Sequence, residues 1–296
     1  MSNKAQRDQS LEILRICAAF GVVAYHAKVP WMEIPYAGLI IFIALSPYVD
    51  LYYRAERVRT TSSILKTFIT PWLFWSILYG LINILNGKSF APHGNTALEK
   101  TLTGTSMHLW FMPFMCMFLI VLNKIKKIFC LHIIYYGSLA IVVFTFYKSQ
   151  PWLENIQVLD NPYAQWLHAM PALFIGTALG LSGIVHNGKI IFLFILLPVV
   201  YFTILTKDLP GINPTYPIGL AIFMIMSSIK TRWGLGIFQP IADCSLGIYL
   251  THMIWVGIFN KITGKGNWLS AILAFACSLL LTWLVRKYFP RIKYII

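Results

Sequence analysis

Ten apolar stretches succeed one another along this chain, at about residues 10–28, 36–53, 68–86, 108–123, 128–147, 165–183, 190–206, 212–229, 237–259 and 268–286. A helix that spans a bilayer needs ~20 predominantly apolar residues. Lipid also admits only structures whose backbone hydrogen bonds are satisfied internally. Stretches of this length, with short loops between them, predict an all-α polytopic membrane helix bundle of about ten spans in a single domain, residues 1–296. Hydrophobic residues make up 58% of the chain and charged residues only 11%, a balance suited to lipid rather than water.

The basic residues set the orientation. One alternate set of loops holds Lys4, Arg7, Arg54, Arg57, Arg59, Lys66, Lys124, Lys126, Lys127, Lys189, Lys230, Arg232, Arg286, Lys287, Arg291 and Lys293, which is 16. The other holds Lys28, Lys88, Lys100, Lys148, Lys207, Lys261 and Lys265, which is 7. The positive-inside rule therefore predicts that both termini are cytoplasmic. The net charge of +14 is dispersed between apolar spans and forms no basic, aromatic-studded stripe of the kind a nucleic-acid groove needs. Anionic headgroups and phosphate-bearing substrates are the expected partners, and nucleic acid is not. Cys17, Cys116, Cys130, Cys244 and Cys277 are scattered without metal-ligand spacing, so neither a metal site nor a disulfide framework is expected. The first span carries Arg15 within its apolar run and no evident cleavage site, and it reads as retained.

That first span, LEILRICAAFGVVAYHA, holds Glu12, Arg15 and His26. Ionisable groups inside a membrane helix are costly, and a functional role is the default hypothesis for them. Arg15 and His26 are eleven residues apart, about three turns, so they share one helix face, separated by ~16 Å along the axis. A plain anchoring role is also open: Arg15 snorkelling to one surface and His26 lying at the other.

Four further groups bear on chemistry. The segment YYRAERVRTTSSILK is the densest cationic loop, and its Arg54, Arg57, Arg59 and Lys66, with interspersed hydroxyls, suit either phosphate oxygens or acidic lipid. Asn83 and Asn86 lie on the far half of the third span, and His108 and Trp110 at the mouth of the fourth. Ser245, Tyr249 and His252 stand at i, i+4 and i+7 on the ninth, hence as one polar stripe that could line a cavity or bond a neighbouring helix. His132, His168 and His186 have no companions and read as structural. On these residues alone a membrane enzyme with His26 as base and a flippase or exporter with a cationic cavity both stand.

Five segments resemble, in order, the signatures of the membrane-bound acyltransferase 3 family: LRICAAFGVVAYH with its R-x10-H spacing, GLIIFIALSPY, ITPWLFWSILY, HLWFMPF and SLGIYLTH. They extend over residues 11–255. The chain departs from the pattern at Pro47, where glycine is usual, and in offering Lys66 where an arginine pair is usual. The resemblance implies an O-acyltransferase that moves an acyl group, usually acetyl, from cytoplasmic acetyl-CoA to a hydroxyl of a cell-surface or exported glycan or glycolipid. It implies a multi-pass protein of the bacterial inner membrane, with a homo-oligomer compatible. It gives the catalytic role to His26 and charge stabilisation or positioning to Arg15. Arg54, Arg57, Arg59 and Lys66 are then expected to hold the CoA phosphates, and His108, Trp110, Tyr249 and His252 to line the acceptor cavity. An exporter that needs no acyl donor is the alternative.

Overall fold

A computed structural model of the chain describes residues 8–56, 58–147, 159–205, 215–229, 238–292 and 294–296. Among them are twelve α-helices and no strand: α1 (Gln9–His26), α2 (Glu33–Arg54), α3 (Thr61–Leu85), α4 (Ala97–Thr103), α5 (Phe111–Ile128), α6 (Leu131–Tyr147), α7 (Tyr163–Leu181), α8 (Gly188–Leu205), α9 (Thr215–Ser228), α10 (Phe238–Ala242), α11 (Ser245–Thr263) and α12 (Trp268–Tyr288). Among the described residues the ten apolar stretches are largely helical, and the protein is an all-α membrane helix bundle. By length and apolarity Glu33–Tyr53, Thr61–Leu85, Met107–Ile128 and Trp268–Tyr288 suffice to cross a membrane. Helices α1, α7 and α11 are as long as many spans but carry the buried polar side chains, among them Glu12, His168 and His252, which dilute their apolar character.

Three boundaries differ from the sequence reading. Helix α3 begins at Thr61 rather than near residue 68, because Thr60 caps it: its Oγ1 accepts the Ser63 N–H at 3.2 Å. Pro71 therefore lies inside the helix, not at its start, and Lys66 sits on a helical turn rather than in a loop. Lys126 and Lys127 likewise belong to the last turn of α5, where cations oppose the negative end of the helix dipole. The ninth stretch is not one helix. It breaks at Asp243–Cys244 into α10 and α11, and the Ser245 hydroxyl donates to the Ala242 carbonyl across the break at 2.7 Å.

The chain divides into two compact units, with the boundary inside α2 at Leu45–Ser46. In the first unit (residues 1–45, 211–294 and 296), α1 packs against α9, α10, α11 and α12, and α11 pairs extensively with α12. Small side chains let these helices close up. Ala19, Val23 and Ala24 of α1 and Ala27 just past its end form a buried apolar cluster with Ile248 and Val256 of α11 and with Ala271 and Ala274 of α12. At the α1–α2 crossing Gly21 faces Gly38, and a Cβ on Gly38 would lie 2.7 Å from the Ala18 carbonyl oxygen.

In the second unit (residues 46–210 and 295), α3 packs on α5, and α6 on α5, α7 and α8. The segment after α3 is ordered by side-chain bonds. Asn83 Nδ2 donates to the carbonyls of Phe90 and Thr105 at 3.2 and 2.8 Å, and Asn86 donates back to Ile82. Both asparagines thus serve the fold. Thr96 and Glu99 form a capping box at the start of α4.

Candidate active site

Helix α1 carries the densest chemistry in the first unit, and its sequence explains its bounds. Asp8 caps it by accepting the Ser10 N–H at 3.0 Å, Glu12 lies in its first turn and His26 in its last, an arrangement that suits the dipole at both ends. Past His26 the chain leaves the helix, with Lys28 in the left-handed region (φ 59°). The Gly266 N–H donates to the Ala27 carbonyl at 3.2 Å and pins this end of α1 to the α11–α12 turn.

Arg15 is ion-paired. Its Nη1 donates to Glu12 Oε2 at 3.2 Å, with the Glu12 side chain 3% exposed and that of Arg15 23%. The i,i+3 spacing permits this pair on any helix, so it was readable from the sequence. Glu12 is the partner that the sequence reading did not assign.

His26 lies at the other end of α1, half-buried, between aromatic and imidazole rings. Its ring centroid is 5.0 Å from that of His252 and 5.2 Å from that of Tyr25, which in turn lies 4.3 Å from Tyr36. His252 is fully buried, and its Nδ1 lies 2.6 Å from the Tyr249 carbonyl oxygen. The Tyr249 ring stacks on Phe42 of α2 at 5.9 Å. The polar stripe of α11 is therefore turned into the unit: His252 meets His26, and Tyr249 meets His252 at 6.0 Å. Ser245 is buried too, but bonds back to Ala242 and serves the helix start. Tyr25 and Phe42 were not singled out by sequence, and Tyr36 reads there as an interfacial aromatic only. Tyr25 precedes His26 on α1, while tertiary packing brings in Tyr36 and Phe42 from α2.

His108 and Trp110 belong to the second unit. Both are buried rather than standing at an open mouth. His108 Nδ1 is 2.9 Å from Ser106 Oγ, and its ring meets Tyr79 edge-on at 5.1 Å. Trp110 packs on Phe114, which stacks on Trp166 at 5.4 Å. Trp166 Nε1 and Ser76 Oγ are buried and make no hydrogen bond among the described residues. His168 is buried on α7, while His132 and His186 are exposed.

Of the cationic segment, Arg57 lies outside the described residues, as does the side chain of Arg54. Arg59 Nη2 donates to Thr67 Oγ1 at 3.1 Å, and its carbonyl accepts from Asn123 Nδ2 at 3.1 Å. Lys66 is exposed one turn into α3. This end of the helix presents backbone N–H groups and the hydroxyls of Thr61 and Ser62 to solvent, a setting favourable to anions.

The profile of a family described as an acyltransferase domain, acyltransferase 3, matches residues 8–287. The match takes in α1 with Arg15 and His26, the capped start of α3, His108 and Trp110, and α11 with Tyr249 and His252. No curated protein and no solved structure matches the chain. The family match covers nearly the whole chain and agrees with its apolar helices: the protein belongs to the acyltransferase 3 family and is a membrane acyltransferase.

Proposed function

We propose that the protein is an O-acyltransferase of the bacterial inner membrane that transfers acetyl from cytoplasmic acetyl-CoA to a hydroxyl of a cell-surface or exported glycan. The observation that carries this reading is the composition of α1: in a membrane bundle, one helix holds a buried carboxylate paired with a partly exposed guanidinium and, about three turns on from Arg15, a histidine in contact with a second histidine.

In this reading the acceptor oxygen attacks the thioester carbon while a His26 nitrogen takes its proton. The C–S bond breaks, and the proton passes to the departing thiolate, which leaves as CoA. An imidazole suits this work because its ordinary pKa of ~6.5 lies near working pH. The Tyr249 hydroxyl is the assigned donor to the developing oxyanion. Arg15 lies ~16 Å from His26 along a continuous helix, a span that an extended pantetheine arm bridges. Its role is to hold charge and helix position at the donor's end, balanced by Glu12.

Arg54, Arg57, Arg59 and Lys66 are assigned to the CoA phosphates, supported by their closeness in the sequence and by the place of Arg59 and Lys66 at the start of α3. His108 and Trp110 are assigned to the acceptor, supported by the aromatic walls around them and by the buried Trp166 N–H and Ser76 hydroxyl, polar groups that sugar hydroxyls would satisfy. In the first unit, Tyr249 and His252 are assigned to the acceptor as well, supported by the contact of His252 with His26.

The test is transfer of radiolabelled acetyl from acetyl-CoA in inverted membrane vesicles. Label is expected in a glycan or glycolipid fraction only when the protein is present. Replacing Arg57, Arg59 and Lys66 together should raise the donor KM ~10-fold or more with kcat little changed, the mark of lost ground-state binding. Glycan crossing the membrane without label would favour the exporter, and an unchanged KM would return the cationic segment to lipid anchoring.

A further inference from the structure

A cleft in the first unit takes no part in the chemistry proposed above. It lies between α10 and the last turns of α12, has a volume of about 340 Å³, and its lining includes Gln239, Asp243, Trp283, Arg286 and Lys287. That volume falls within the ~300–1,000 Å³ of small-molecule sites. The helix break creates it: α10 ends at Ala242 and α11 starts at Ser245, so the Asp243 turn stands beside α12. The depth of the cleft follows from α12, an apolar helix of 21 residues. At ~1.5 Å per residue it is ~31 Å long, which matches a hydrocarbon core of ~30 Å. Arg286 and Lys287 occupy its last turn and so stand at the level of the lipid headgroups.

The side chains at this level suit a phosphodiester. Lys287 Nζ lies 4.6 Å from the centre of the Trp283 ring and 5.3 Å from that of Tyr288, contacts that hold the ammonium at the interface. Arg286 is half-buried beside it. Two cations against one carboxylate leave the lining side chains with a net charge of +1. From Lys287 toward the bilayer centre, Trp283, Leu280, Ala276 and Ile272 recur every three or four residues and are all exposed. They form one apolar stripe along α12. The stripe of Ala271, Ala274, Ser278 and Thr282 is buried instead. A cationic cleft at headgroup depth thus runs on into an exposed apolar face, the two halves of a lipid.

We propose that this cleft binds an anionic glycerophospholipid, with the phosphodiester on Arg286 and Lys287 and the acyl chains along the exposed stripe of α12. The positive-inside rule places this end of α12 in the cytoplasmic leaflet, whose surface carries anionic lipid. The Asp243 carboxylate accepts from headgroup hydroxyls. A phosphatidylglycerol headgroup neutralises the lining, whereas zwitterionic phosphatidylethanolamine leaves its net charge standing. Coenzyme A and other free phosphates have no chains for the apolar stripe. Occupancy braces α10, which packs on α1, the helix of Arg15 and His26. The site does not depend on the acyltransferase reading.

The test is native mass spectrometry and thermal unfolding of the full chain in a neutral detergent. It is titrated in turn with phosphatidylglycerol, phosphatidylethanolamine, glycerol 3-phosphate and coenzyme A. Phosphatidylglycerol is expected to bind saturably and raise the unfolding temperature, and phosphatidylethanolamine to bind at least ~10-fold more weakly. Arg286→Gln with Lys287→Gln should weaken phosphatidylglycerol at least ~10-fold, while Lys261→Gln with Lys265→Gln, at exposed cations of the opposite end, should leave it within about twofold. Should the first pair not accumulate in membranes, Lys287→Glu, at an exposed position, takes its place with the same expectation. Equal affinity of the cleft variant and the wild type overturns the proposal, as does equal binding of the two phospholipids. Displacement of the lipid by equimolar coenzyme A or glycerol 3-phosphate also overturns it and makes the cleft a site for free phosphates.

Discussion

At Glu12 a carboxylate is buried in a helix that lipid and protein surround, and the Arg15 guanidinium 3.2 Å away balances its charge. Removing one member of such a pair costs more than the pair contributes, because the other charge is left unmet. Arg15 is partly exposed, which reduces the penalty. Glu12→Gln is expected to lower stability by about 1–3 kcal/mol, read as a lower unfolding temperature in detergent. Glu12→Gln combined with Arg15→Gln should recover part of that loss, and a single variant as stable as wild type would show that Arg15 finds its balance elsewhere. At this scale the sequence was informative about chemistry and silent about contact. Arg15 and His26 stood out because ionisable groups in an apolar run are rare. That His26 meets His252, more than two hundred residues on, depends on how α1 and α11 pack, which no local spacing encodes.

Among the elements, the helices were legible because apolar runs of spanning length have few alternative structures in lipid. Their ends were less so, because caps rather than hydropathy decide them. Thr60 caps α3, whose first residue lies seven before the apolar stretch, and the α10–α11 break falls at Asp243–Cys244, inside a stretch that hydropathy reads as one span. Thr96-x-x-Glu99 is a capping-box pattern that the sequence reading passed over inside a polar loop. Its hydrogen bonds from the backbone N–H groups of Thr96 and Asn95 hold the Glu99 carboxyl below its ordinary value of 4.5. Because the folded value is the lower one, the stabilisation is fully present above pH 4.5 and is lost as pH falls through the folded value. Hydrogen exchange at the Asn95 and Thr96 amides should be flat with pH above that range, after correction for intrinsic rates, and lose protection below it. Glu99→Gln should remove the dependence.

The close crossing of α1 and α2 leads to another element-level expectation. A Cβ at Gly38 would lie 2.7 Å from the Ala18 carbonyl oxygen and 3.0 Å from the Gly21 Cα, and backbone cannot yield as a side chain tip can. Gly38→Ala should therefore cost about 1–3 kcal/mol, the usual range for overpacking. It should also lower activity, because α1 carries His26. Unaltered thermal stability would mean that the helices separate without penalty.

For the molecule as a whole, the family match spans residues 8–287 and so draws on both compact units. The first unit contains α1 and α11, with Arg15, His26, Tyr249 and His252. The second contains His108, Trp110, Arg59 and Lys66. The reading of the whole chain as a membrane acyltransferase follows from that match and from its apolar helices, while the assignment of the chemistry to one residue follows from α1. The most direct measurement compares wild type with His26→Ala in proteoliposomes, at equal amounts of inserted protein, following labelled acetyl from acetyl-CoA into acceptor glycan. Insertion should be unchanged and transfer should fall at least ~100-fold, the usual contribution of a general base. Transfer at the wild-type rate by His26→Ala would contradict that role.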